Sequence, residues 1–300
     1  MEGITTYTYR NAHAEMFGMC DKYYAPFIVP CENDKLSLKK IRDILPEHNS
    51  AKIVPQALCN GGEEFLRFSE KVSSLGYDEI NINFGCPAST VVGKSRGAGA
   101  LKDTESLDAL LEKIFSEATI DISVKTRAGF WSHNEFDEIL KVYRKYPVSL
   151  LIIHPRVREE FYGGEPNMET FEKAYKLSEF KLCYNGNIYT REDYENTADK
   201  FCGIDSVMIG RGAIKNPAIF REIKGGKPLC TEELIAFSDL LQKRYMELFK
   251  SDVFTLHKLK EIWMYVMQNF PEEKKILKAI KKSNKRSDFN NAVNCLPEIQ

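Results

Sequence analysis

The sequence predicts an α/β fold, a TIM-type (β/α)8 barrel followed by a small C-terminal helical bundle. Two observations carry that expectation. Short apolar, β-rich segments alternate with amphipathic helical ones at the spacing of βα units, which makes a parallel sheet. Five of the strand-like segments also end in polar clusters: Asn83-Phe84-Gly85-Cys86-Pro87, Lys125-Thr126-Arg127, His154-Pro155-Arg156, Asn185-Gly186-Asn187 and Gly210-Arg211-Gly212. In a parallel barrel the C-terminal ends of the strands form one rim, and active sites lie on that rim.

Strands are expected over residues 23–29, 52–58, 79–84, 122–126, 150–154, 181–184 and 206–209. Helices over 63–75, 104–118, 134–145, 168–177 and 191–201 separate them. Seven strands are one short of a closed barrel. The chain opens Met1-Glu2-Gly3-Ile4-Thr5 and runs straight into a helix-like stretch over 7–20, as expected just after a first strand, so the first strand is expected to be missing from this chain. The rhythm stops at Lys224-Gly225-Gly226-Lys227-Pro228, a Gly/Pro break. Beyond it, Leu234, Phe237, Leu241, Tyr245 and Leu248 recur at helical spacing over 231–250, and further helices are expected over 253–270, 272–282 and 288–295. The organisation is therefore a barrel domain over 1–225 and a helical domain over 229–300.

Composition narrows the function classes. Hydrophobic residues make up 43% of 300, enough for a substantial core, and 42 Lys plus Arg against 43 Asp plus Glu leave a net charge of −1. Any nucleic-acid partner must then be recognised by a local patch. No apolar run reaches the ~20 residues of a membrane span, and no signal peptide is evident, so a cytoplasmic protein with reduced thiols is expected. The eight cysteines include no CxxC pair, so no metal site is expected. Seven of them read as small buried hydrophobes.

Cys86 differs by its context, a tight Gly-Cys-Pro turn at a strand end. A thiol with an ordinary pKa of about 8.5 is mostly protonated at neutral pH and suits a general acid. Asn83 lies two residues back on the same strand, on one face with Gly85 rather than with Cys86. The loop over 88–99 carries three glycines with Lys94 and Arg96, and serves equally well as a solvated loop or as a flap over RNA. In the helical domain Lys274, Lys275, Lys278, Lys281, Lys282, Lys285 and Arg286 crowd one stretch with no acid between Lys274 and Arg286, while Ile276, Leu277 and Ile280 supply an apolar side. A solvated surface and a phosphate-backbone contact both fit this pattern. No strand–GxGxxG–helix unit is present for a dinucleotide.

Taken together, and in this order, the five motifs resemble the tRNA-dihydrouridine synthases over nearly the whole chain. The resemblance implies an FMN-dependent barrel that reduces the C5=C6 bond of specific uridines in tRNA, with NADPH docking over the flavin in ping-pong fashion. It implies Cys86 as the proton donor. Gln56 and Lys125 would face the flavin ring, the lysine near N1, and His154 and Arg156 would orient base or phosphate. Asn185, Gly186, Asn187, Gly210 and Arg211 would hold the FMN phosphate. Asn83, Arg127, Arg156, Lys94, Arg96, Lys278 and Lys282 would meet the tRNA, and a monomer is expected. Two departures stand out: relatives precede Met-Glu-Gly with a strand ending in Ala-Pro whose loss would weaken FMN retention, and Pro155 stands where many relatives have glycine. A flavin-dependent reductase of free pyrimidines, of the dihydroorotate or dihydropyrimidine dehydrogenase kind, shares the flavin and the thiol but has no need of a basic helical tail. A flavin-free tRNA-binding protein is the other alternative.

Overall fold

The computed structural model describes residues 1–18, 20–30, 41–177 and 179–299; Cys31 lies outside them. The strands are β1 (Tyr23–Tyr24), β2 (Ile53–Val54), β3 (Gln56–Ala57), β4 (Glu79–Phe84), β5 (Asp121–Gly129), β6 (Leu151–Val157), β7 (Leu182–Tyr184) and β8 (Ser206–Val207). All neighbours are parallel, in the orders β1-β2 and β3-β4-β5-β6-β7-β8, and an Ile28–Ala57 bridge links the two sheets. β2 and β3 are one barrel stave interrupted at Pro55, which has no N–H to give to a ladder. The seven staves among the described residues are the seven that the sequence predicts. Among the described residues no strand pairs with the facing edges of β1 and β8.

The bounds differ where chemistry intervenes. The first stave is regular only at Tyr23–Tyr24, because Pro26 cannot donate to a neighbour. β5 and β6 run three residues beyond the expected ends, to Gly129 and Val157, with a register shift between Arg127 and Gly129. Arg127 and Arg156 are consequently strand residues, held by the ladder rather than by a loop.

Side-chain alternation sorts each stave into two faces. Ile80, Ile82 and Phe84 of β4 face outward and join Phe65, Phe68, Leu107 and Leu111 in the layer between strands and helices. Glu79, Asn81 and Asn83 therefore face the lumen.

The C-terminal helices are Thr231–Phe249, Asp252–Val266, Lys274–Lys282 and Arg286–Val293. Leu234, Phe237, Leu241 and Tyr245 pack on Leu256, Leu259, Ile262 and Trp263, and the Trp263 indole donates to Ser238 Oγ at 3.1 Å. This core also takes in Tyr9, Ala12 and Phe17 from the helix Tyr7–Met16, and Ile214 and Ala218 from the segment after β8. The boundary at 225–229 is a break along the chain, not a break in the packing. Among the described residues no helix is long and apolar enough to cross a membrane.

Truncating Trp263 to alanine removes the largest side chain of this core and should lower the unfolding free energy by about 3–5 kcal/mol. Urea unfolding checks this, and a loss below about 1 kcal/mol would show that the bundle can collapse onto the hole.

Candidate active site

A cleft of about 1110 Å³ opens at the C-terminal ends of the strands and extends between β1 and β8. Gln56, Asn83, Cys86, Lys125, Arg127, His154, Asn185, Gly186, Gly210 and Arg211 all line it. Parallel register is what brings them together: Gln56 pairs with Asn81, Asn83 with Lys125, and Arg127 with His154.

On one wall of the lumen the side chains form a continuous polar ladder. Asn83 Nδ2 donates to Gln56 Oε1 at 2.7 Å, Gln56 Nε2 to Asn81 Oδ1 at 2.8 Å, and Asn81 Nδ2 to Ser123 Oγ at 2.9 Å. Ser123 Oγ donates to Glu79 Oε1 at 2.8 Å, and Glu79 is paired with Lys22 at 2.7 Å. The amide of Gln56 is thus held at both ends by neighbours, which fixes its plane. Asn81, Ser123, Glu79 and Lys22 were not among the residues expected from sequence to matter. The signal available for two of them, Glu79 and Asn81, was the alternation Glu79-Ile80-Asn81-Ile82-Asn83-Phe84, polar at every second residue.

Asn83 Oδ1 also accepts from the backbone N–H groups of Gly85 at 2.8 Å and Cys86 at 3.1 Å. Its carboxamide oxygen therefore shapes the turn that presents the thiol. Gly97 closes the turn from the other side. With φ of +55°, it lies where an added Cβ would stand 2.7 Å from the Cys86 carbonyl oxygen and 2.9 Å from Cys86 Cβ, so the approach requires glycine. Burial pushes the Cys86 thiol up, against a backbone hydrogen bond at Ala88 and the nearby charges of Lys125 and Arg127, which pull it down. The group keeps its proton at neutral pH.

The cations of the site are not equivalent. Lys125 Nζ lies 3.5 Å from where a Cβ on Gly85 would be, and it has no hydrogen-bond or ion-pair partner among the described residues. It lines the cleft. Burial, and Arg127 beside it, bring its pKa down from 10.5 to about 8. Arg127 donates to the carbonyls of Gly85 at 2.8 Å, Val157 at 2.9 Å and Phe161 at 2.7 Å, tying three rim segments together. Burial, followed by Lys125, Arg127 and Arg156, holds the His154 pKa well below its ordinary range, so its imidazole is neutral.

Arg156 departs from the direct substrate contact expected of it. It is fully buried, donates to the carbonyls of Gly163 at 3.0 Å and Gly164, and reaches His154 Nε2 and Asn187 Oδ1, each at 3.3 Å. Those partners take up its donors, because the extension of β6 carries it into the protein. Asn187 likewise lies behind the lining, accepting from Arg156 and from Arg211 at 3.1 Å and donating to Glu165 at 3.0 Å. Asn185 Nδ2 donates to the Met208 carbonyl at 2.8 Å, fastening the loop after β7 to the end of β8.

Lys94 and Arg96 lie elsewhere, in a separate cavity of about 430 Å³ with Asn60, Glu63, Glu64 and Arg67. Arg96 does not face the mouth as a free cation: it pairs with Glu64 at 2.9 Å and donates to Asn60 Oδ1 at 3.1 Å. Lys278 and Lys282 are exposed on the helix Lys274–Lys282, whose Ile280 is buried in the bundle core. Tyr162 and Tyr265 also line the cleft, and no sequence argument singled them out. Among the described residues no group of three or more His, Cys, Asp and Glu side chains could hold a metal ion.

The family model for dihydrouridine synthase (Dus) matches residues 1–299. The chain belongs to the dihydrouridine synthase family. Among curated relatives, tRNA-dihydrouridine synthase B of Pseudomonas putida is 28% identical over 192 residues, 63% of this chain and 55% of that protein. A probable tRNA-dihydrouridine synthase of Staphylococcus epidermidis is 30% identical over 165 residues, 53% of this chain and 50% of that one. The chain therefore spans about half the length of the curated relatives it matches. A solved 2-naphthoyl-CoA reductase in complex with 2-naphthoyl-CoA superposes with a TM-score of 0.52 at 13% identity, covering 74% of this chain and 47% of that one, a likeness of fold.

The lowered Lys125 pKa has a sign that can be tested. Between about 8 and 10.5 the unfolded chain of this Dus protein binds the extra proton, so the ligand-free fold gains stability as pH rises through that window. Lys125→Met should remove the gain. Urea midpoints of both proteins at two pH values, one on either side of 8, check it; an equal difference at both would mean that the ammonium is fully hydrated.

Proposed function

We propose that this chain is the catalytic unit of a tRNA-dihydrouridine synthase, reducing the C5=C6 bond of uridine in tRNA with FMN in the cleft and NADPH as reductant. The observation that carries the reading is Lys125, a half-buried cation beside the Gly85-Cys86 turn that has no hydrogen-bond or ion-pair partner among the described residues. An unpaired buried charge is costly unless a ligand completes it, so the cleft is built for an electron-rich group at that point.

The residues present fit FMN. Lys125 would stand against the pyrimidine edge of the ring, with the immobilised Gln56 amide on the same wall. Gly186 and Gly210 leave backbone bare for a phosphate, and Arg211 supplies a charge there. When bound, the flavin supplies the hydride that goes to uracil C6.

The protein's own residues do the rest. Cys86 carries the proton that C5 needs, since burial keeps the thiol loaded at neutral pH. Lys125 and Arg127, whose fields already act on this sulfur, stabilise the thiolate left after transfer. Asn83 and Gly97 hold the turn so that the sulfur does not swing away. His154, kept neutral by burial and then by its cationic neighbours, contributes hydrogen bonding without adding charge. The lysine face of the helix Lys274–Lys282, with Lys278 and Lys282, meets the phosphate backbone of the tRNA. The alternation of NADPH and RNA in one cleft is part of the same reading, as is action in the cytoplasm.

Protein loaded with FMN should bleach with NADPH and recover its colour with unmodified tRNA. Cys86→Ala should leave the bleaching step intact and slow uridine reduction by about 10²–10⁴-fold; unchanged turnover would remove Cys86 as the acid. Protein that binds tRNA but no flavin would turn the conclusion to a binding role. Replacing Lys278 and Lys282 by glutamate should raise KM for tRNA and flatten the dependence of binding on salt, and a KM within twofold of the parent would place the RNA elsewhere.

A further inference from the structure

A ridge of exposed aromatic side chains stands on the rim beside the cleft, and nothing in the mechanism above uses it. Trp131 is 59% exposed and Phe161 42% exposed, although each belongs to a short segment that packing or hydrogen bonds hold closely. The Trp131 segment follows β5. One carboxylate, that of Glu135, accepts from the backbone N–H groups of Phe130 at 2.7 Å, Trp131 at 3.1 Å and Ser132 at 3.0 Å. The Phe161 segment follows β6, and Phe161 itself has φ of +49°, a left-handed conformation uncommon for a bulky residue.

Arg158 joins the two segments. Its guanidinium lies 5.5 Å from the ring centre of Phe130 and 4.8 Å from that of Phe161, and the Phe130 and Trp131 rings meet edge to face at 4.7 Å. Arg158 Nε also donates at 3.2 Å to the carbonyl of Pro87, the residue next to Cys86. The ridge is therefore fastened to the turn that carries the thiol. Lys102, exposed and 4.5 Å from the Phe130 ring centre, adds a cation at its flank that has no ion-pair partner among the described residues.

Such an arrangement has a specific use if the substrate is a uridine in RNA, and the inference rests on that reading. A base can reach a pocket only by leaving its stack, which strips its neighbours of a stacking surface. Aromatic faces interleaved with cations are what single-stranded RNA bases stack on. Apolar side chains held out in water on restrained backbone are preorganised for that contact. We propose that Trp131 and Phe161 form a stacking platform for a nucleotide adjacent to the reacting uridine, with Lys102 placed for its phosphate.

The chain has two tryptophans, and Trp263 is buried at 2% exposure. The difference in emission between the parent and Trp131→Phe therefore reports Trp131 alone. Titration with unmodified tRNA transcript should quench that difference signal and shield it from acrylamide, both saturating with binding. Trp131→Ala and Phe161→Ala should each raise KM for the transcript about tenfold, with the change falling on KM rather than kcat, and Trp131→Phe should restore most of the loss. Uridine reduction with a silent, acrylamide-accessible Trp131 and unmoved KM values would overturn the platform and leave the enzymatic reading standing. A parent protein that takes up no flavin and reduces no uridine would instead overturn that reading.

Discussion

Because β4 and β5 run parallel with Asn83 beside Lys125, every second residue of both strands enters the same lumen, and no other register would seat these groups together. The lumen is divided. One wall is the hydrogen-bonded ladder from Asn83 down to Glu79; the other, formed by Leu150, Ile152 and Cys183 with Tyr24 and Met208 against them, is apolar. A lysine between such walls is dehydrated on one side and cannot borrow an acceptor from the other, since the ladder's groups already satisfy one another. Its charge is left facing the cleft. The reactive character of the site thus follows from satisfied neighbours as much as from the lysine itself.

The thiol depends on a second set of restraints. Asn83 ties the turn from below, Gly97 packs against it, and the carbonyls on either side of Cys86 are used, that of Gly85 by Arg127 and that of Pro87 by Arg158. A proton donor must be placed within a fraction of an ångström of its target carbon to be effective. Here the placement comes from backbone hydrogen bonds rather than from the packing of the small cysteine side chain. Arg127, one of the two arginines that position the turn, also acts electrostatically on the sulfur, so position and acidity are coupled.

Much of this was legible in the sequence. Alternating segments marked the seven staves, and the polar residues at their ends converge because a parallel barrel has one rim. Cys86, Lys125 and Arg211 stand in those strand-end clusters, whereas Gln56 was singled out only through the family resemblance. Arg156 and Arg96 were less legible, because a motif records which residues are present and not how their donors are spent; Glu64 and the carbonyls of Gly163 and Gly164 are distant in sequence or silent in side-chain pattern. Trp131 was invisible for a related reason. An exposed aromatic in a loop has no periodicity to betray it, and only the Glu135 brace and the Arg158 bridge distinguish it from chance exposure.

The helix Tyr7–Met16 sits in the core of the C-terminal bundle, and so do Ile214 and Ala218 from the barrel's last segment. Two lobes that share one interior cannot pivot about the Gly-Gly-Lys-Pro link between them. The orientation of the lysine-bearing helix relative to the cleft is therefore set when the chain folds. On the proposed reading, choice among the uridines of a tRNA becomes a matter of rigid triangulation, the distance from that helix to the thiol acting as a fixed ruler.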